Sequence, residues 1–129
     1  MIKDGVIVDT SVFIDFLKGS DKIAKEITNL IESNRIVSTG IIIAELMQSI
    51  KKPIEEERIA DLLTGVGILE ISTPLWIKAG RLSSSLRRKG INLPLTDTAI
   101  AILALEYDLT LFTFDNHFTQ IPNLKLHTL

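Results

Sequence analysis

The chain has 129 residues, 46% of them hydrophobic and 23% charged, with 14 basic and 16 acidic side chains for a formal net charge of −2. This composition excludes a disordered or fibrous protein, predicts one globular domain over residues 1–129 with no room for a second, and argues against nucleic-acid binding by a polycationic surface. Cysteine is absent, which excludes a disulfide scaffold, a thiolate metal site and a cysteine nucleophile.

The N-terminal apolar stretch is interrupted by Lys3, Asp4, Asp9 and Asp15, so no signal peptide is expected. No apolar run approaches the roughly 20 residues that span a bilayer. A cytoplasmic protein without a membrane segment is the expectation.

In chain order, Val6, Ile7 and Val8 form a β-branched run that suits a strand buried on both faces, and Asp9 stands where it stops. In open α/β sheets the carboxyl edge of the strands is where ligands bind. Asp9 therefore has two readings: a metal ligand, or, with Thr10 and Ser11, the cap of a helix from about Val12 to Lys18 that Gly19 ends. Ser20 is placed to cap a longer helix with Ile23, Ile27, Leu30 and Ile31 at helical spacing, and Arg35 to Ser38 is a second strand.

Thr39 can cap the next helix, which carries Ile42, Ile43, Leu46, Met47 and Ile50, while Pro53 with Glu55, Glu56 and Glu57 opens another that closes at Gly65. Ile68 to Ile71 reads as a third strand. Thr73 and Pro74 begin a helix with Leu75, Ala79, Leu82 and Leu86 on one stripe, ended by Gly90. Asp97 to Tyr107 is apolar nearly all round, which predicts a buried central helix. Leu109 to Phe114 is a fourth strand leading to Asp115, and Leu124 to Leu126 a short fifth, with a loop over Asn116 to Asn123 between them. Strands alternating with helices predict an α/β fold: a three-layer α/β/α domain with a mostly parallel central sheet of four to five strands.

Four carboxylates stand out: Asp9 after strand one, Glu45 among Ile41, Ile42, Ile43, Leu46 and Met47, Asp97 at the mouth of the buried helix, and Asp115 after strand four. Each has an ordinary explanation, since Glu45 could edge an amphipathic helix, Asp97 could cap one and Asp115 could order a turn with Asn116. A parallel sheet nevertheless delivers the ends of strands one and four to the same edge, where the two helices can also present acids. Two carboxylates about 4.5 Å apart repel by roughly 4 kcal/mol at an effective dielectric near 20, so such a cluster calls for a cation or protons. Oxygen donors with no cysteine and no paired histidines favour Mg2+ or Mn2+ over zinc. His117 and His127 are assigned to surface or turn roles.

VIVDTSVFID, IIIAELM, PLTDTAIAILA and LTLFTFDNHF, in this order and at this spacing, resemble the motifs of the PIN-domain ribonucleases, and among them the small VapC-type toxins of toxin–antitoxin pairs. The likeness covers nearly the whole chain. It implies that Asp9, Glu45, Asp97 and Asp115 form the acidic metal-binding set, with Thr113 and Ser11 orienting a ligand or water. The implied reaction is metal-dependent endonucleolytic cleavage of single-stranded RNA. Arg81, Arg87, Arg88 and Lys89, or a dimer groove, would grip the substrate. A homodimer and a cognate antitoxin are further implications, the antitoxin being sought along Ile41 to Leu63. Other readings are a catalytically silent PIN-like binding module and, less well matched, a phosphoaspartyl phosphatase, whose signature wants an aspartate where this chain has Ser11.

Overall fold

The computed structural model describes residues 2–129. Its centre is β1 (Val6–Val8), three residues with no solvent exposure. The strand is flanked in parallel by β2 (Ile36–Ser38) and β4 (Thr110–Phe112), with Ile7 in register with Val37 on one side and Leu111 on the other. β3 (Gly67–Ile68) extends the sheet beyond β2 and β5 (Lys125–Leu126) extends it beyond β4. The order is β3-β2-β1-β4-β5 with every pairing parallel.

From β1 the chain moves outward through α1 (Thr10–Leu17) and α2 (Asp21–Glu32) to β2, then through α3 (Gly40–Gln48) and α4 (Pro53–Leu63) to β3. It returns to the other side of β1 through α5 (Thr73–Arg88) and α6 (Leu95–Glu106). Because parallel crossovers are right-handed, the outward pair of connections covers one face and the return connection the other. The helix packing agrees: α1 lies against α2 and α3, and α5 against α6. The direction of travel thus reverses beside β1, so the carboxyl ends of β1 and β4 bound a crevice of the kind that binds ligands in such sheets.

The expected elements are present, with shifts that have local causes. α1 begins at Thr10, directly after Asp9, and Gly19 follows it at φ +90°, a conformation glycine adopts without strain. Ser20 and Thr39 occupy cap positions but make no side-chain cap bond. The third strand is shorter and earlier than Ile68 to Ile71, although Leu69 N–H still donates to the Ser38 carbonyl at 2.9 Å. α6 starts two residues before Asp97, because the Pro94 carbonyl already accepts from the N–H groups of Asp97 and Thr98. Its predicted burial is present: Thr98, Ala99, Ile100, Ala101, Leu103 and Ala104 are all buried. β4 stops at Phe112 rather than running on to Phe114, and a 3-10 turn, Asn116–Gln120, occupies part of the expected loop.

Candidate metal centre

Asp9 leaves the end of β1 in extended conformation (φ −68°, ψ 155°) and stands at the N-cap of α1. One carboxylate oxygen, Oδ1, accepts from the Thr10 N–H at 2.9 Å. The other, Oδ2, accepts from the Thr113 hydroxyl at 2.7 Å. The capping geometry and the site geometry are therefore the same geometry: one oxygen starts the helix, while the other is tied across to the end of β4. Thr113 Oγ1 in turn accepts from the Asp115 N–H at 3.0 Å, so a single hydroxyl fixes Asp9 and orients the turn that carries Asp115.

Glu45 reaches the same edge from α3. Its Oε1 accepts from the Thr10 hydroxyl at 3.0 Å. This contact joins residues 35 apart in sequence. Of the hydroxyls expected here, Thr113 bonds Asp9 and Ser11 is exposed in the first turn of α1, while Thr10, which the sequence reading did not single out for that role, holds Glu45. The signal that could have found Thr10 is a hydroxyl directly after an acid at the start of a helix.

Asp97 stands in the first turn of α6, on the opposite face of the sheet. Burial first, and then the charges of Asp9, Asp115 and Glu45, together push its carboxyl from an ordinary 3.8 up to about 6, against a smaller downward pull from His117. The shift shows that the three other acids lie in electrostatic reach of Asp97. Asp115 caps the 3-10 turn through its Oδ1, which accepts from the His117 N–H at 2.9 Å and faces His117 Nδ1 at 2.7 Å.

Among the described residues, no three acidic or histidine side chains are drawn close enough together to enclose one cation. Asp9, Glu45 and Asp115 each accept at least one hydrogen bond from a neighbouring hydroxyl or N–H. The acids therefore stand apart at the sheet edge rather than in mutual contact. What they offer a cation is carboxylate oxygen alone, the donor chemistry of hard divalent ions, which commonly keep several waters and take only one or two carboxylates directly.

The basic residues divide. Arg87 and Arg88, in the last turn of α5, line a shallow groove with Gly80, Ser83, Ser84 and Leu95, the last being the first residue of α6. Lys78 near the start of α5 pairs with Glu106 at the end of α6 at 2.7 Å, so the two helices are antiparallel. The basic end of α5 consequently lies beside the end of α6 that bears Asp97. Arg81 and Lys89 are exposed but do not line that groove. His117 is exposed, as expected. His127 is not a surface residue: its side chain is 14% exposed, bonds Glu26 of α2 at 2.8 Å and packs on the Phe112 ring at 4.6 Å between centroids.

Comparison with known proteins bears on this geometry. No curated protein sequence matches significantly. Among solved structures, the chain is similar to VapBC2 from Rickettsia felis bound to a DNA fragment from its promoter, with 27% identity over 100% of this chain and 99% of that one and a TM-score of 0.84. It is also similar to VapBC-1 from nontypeable Haemophilus influenzae, with 26% identity, 98% and 97% coverage and a TM-score of 0.78. DNA-bound VapBC from Salmonella typhimurium shares the fold at 22% identity, 98% coverage of both chains and a TM-score of 0.79. The family model for the PIN domain matches residues 6–124, from the first residue of β1 to the approach to β5. That span takes in all four acids and every element that carries them, and the chain belongs to the PIN domain family.

Proposed function

We propose that the chain is a single nuclease domain over residues 1–129, a Mg2+- or Mn2+-dependent endoribonuclease that cleaves single-stranded RNA as the VapC-type toxin of a toxin–antitoxin pair. The observation that supports it most strongly is the hydrogen-bonded convergence at one sheet edge, where Thr113 ties Asp9 to the Asp115 turn and Thr10 ties Glu45 to the start of α1, with the Asp97 carboxyl raised by burial and by these acids. An array of that kind is relieved by a cation, and the all-oxygen donors suit a hard one. Asp9, Glu45, Asp97 and Asp115 would hold it. When bound, such an ion acidifies a coordinated water and neutralises charge developing on a phosphodiester.

The chain's own residues prepare that chemistry. Thr113 holds Asp9 and the Asp115 turn in fixed relation, and Thr10 holds Glu45 against the start of α1. Ser11, exposed in the same turn, is the hydroxyl left open to a ligand. Arg87 and Arg88 supply positive charge beside the Asp97 end of α6, where a nucleic-acid backbone would pass, and Arg81 and Lys89 extend it along α5.

The partner reading rests on the resemblance to VapBC structures and on a cleft in the segment from Ile41 to Leu63. The cleft lies between α1, the end of α3 and α4, with Ile14, Leu17, Ile50 and Ile59 as its apolar floor and Lys18, Lys51 and Arg58 among its basic residues. An antitoxin segment with apolar and acidic side chains fits it. A homodimer would cover Trp76 and Ile77, which are exposed next to each other on α5. Cytoplasmic residence accords with a cellular RNA substrate, and no helix among the described residues is long and apolar enough to cross a membrane.

The test is cleavage of a labelled single-stranded RNA by the purified chain. Products are expected with Mg2+ or Mn2+, none in chelator, and none from Asp97→Asn at unchanged fold. A silent RNA- or protein-binding PIN module is the second reading, favoured by the acids' standing apart rather than in chelating contact. It predicts RNA binding with no metal-dependent product.

A further inference from the structure

Phe114 is an aromatic side chain in a place that core packing does not explain. It lies between Thr113 and Asp115 at the rim of the crevice, yet it is 48% exposed. Its neighbours Phe112 and Phe118 are buried and fill the interior there. The exposed ring is also supported from behind. It meets Phe112 edge to face, with centroids 6.3 Å apart and planes at 86°. Phe112 in turn packs on His127, which Glu26 holds at 2.8 Å. A ring braced in this way loses little freedom when something covers it.

Resting on the RNA-cleavage reading above, we propose that Phe114 is a stacking platform for one unpaired base of the substrate strand, beside the phosphate that is cut. Two observations and the chemistry of stacking converge on a nucleobase. Phe114 stands in the chain between Thr113, whose hydroxyl anchors Asp9, and Asp115, so its backbone belongs to the short turn that carries the β4 side of the crevice. The chain carries a net charge of −2 and so has little general attraction for a polyanion. Stacking supplies a grip that does not depend on charge, and it is open only to bases outside a duplex, which gives a preference for single strands without base-edge readout. Phe114 is thus a substrate-positioning residue with no part in bond breaking.

The experiment compares the wild-type chain with Phe114→Ala, Phe114→Leu and Phe114→Trp on a mixed-sequence single-stranded RNA 12-mer with Mn2+. A second set of 12-mers carries one abasic site at successive positions. Loss of one base–aromatic stack predicts a rise in KM of about 5- to 150-fold for the Ala and Leu variants. Expected alongside it are kcat changed less than about twofold, wild-type melting temperatures, and rescue by Trp. One abasic position should raise KM for the wild type and leave the Ala variant indifferent. Unchanged KM in both Ala and Leu variants of a cleaving enzyme overturns the platform alone. So does an equal loss in the Trp variant. A wild-type chain that does not cleave RNA overturns the functional reading and the platform with it.

Discussion

Replacing Asp97 by Asn should stabilise the metal-free protein at neutral pH and not at acid pH. Burial and the neighbouring acids push the Asp97 carboxyl up to about 6 in the folded chain, from an ordinary 3.8. At about 1.36 kcal/mol per tenfold change in proton affinity this gap sets a ceiling of about 3 kcal/mol on the cost of ionising it in place. The residue is only partly buried, so water and salt screen much of that cost and about 1–2 kcal/mol is the realistic size. Against it stands the attraction between an acid in the first turn and the α6 dipole, about 0.3–1 kcal/mol, which Asn forfeits. The net gain is about 1 kcal/mol, or about 4 °C in melting temperature for a chain of this length.

The pH dependence carries the sign. A carboxyl whose folded value is raised binds a proton in the native state before the unfolded state does. Its penalty is therefore full above pH 6 and fades as pH falls through 6 toward 3.8. Contributions of the other acids are common to both proteins to first order. Thermal melts of wild type and Asp97→Asn in chelator, from pH 4 to pH 8, should show the mutant's advantage growing with pH. A mutant that melts below wild type at pH 7.5, or an advantage independent of pH, would refute the idea that burial and the acidic neighbours make ionised Asp97 costly.

Other outcomes follow from the same contacts. Thr113→Val removes the bond to Asp9 and the acceptor for the Asp115 N–H, and should cut RNA cleavage at least tenfold while lowering stability by about 1–2 kcal/mol, measured by turnover and denaturant melts. Thr10→Val should release Glu45 at little cost in stability, because the bond is exposed, and should weaken Mn2+ binding in calorimetry. Ile7→Ala, in the fully buried middle of the central strand, should cost about 2–5 kcal/mol in urea unfolding without any specific effect on metal affinity. Saturating Mg2+ should raise the wild-type melting temperature at pH 7.5, an effect that Asp97→Asn should largely lose.

The residues that were legible in the sequence are those whose role is set by neighbours close along the chain. β1 announces itself as Val6, Ile7 and Val8, and α6 by apolar residues on every side, so the parallel sheet and the shared edge of Asp9 and Asp115 follow from the alternation of strands and helices, while the order β3-β2-β1-β4-β5 needed the structure. The acids were readable because a carboxylate in an apolar context needs a reason. Contacts between distant segments were not. Thr10 and Glu45 are 35 residues apart, Thr113 and Asp9 are 104 apart, and only the assembled sheet shows which hydroxyl serves which acid. His127 looked like a surface residue for the same reason, since its partner Glu26 lies 101 residues away. Element ends shifted where one backbone bond decides the matter, as at Pro94, whose carbonyl begins α6 before the acid that seemed to open it.

The central claim is that the four acids of the crevice hold a hard divalent cation. It is tested most directly by crystals grown with Mn2+ and measured at an energy where manganese scatters anomalously. The account predicts one or more anomalous peaks among Asp9, Glu45, Asp97 and Asp115, with carboxylate oxygens at roughly 2.0–2.2 Å and loss of the peak in Asp97→Asn. Full-occupancy Mn2+ elsewhere on the chain with none in the crevice would contradict it.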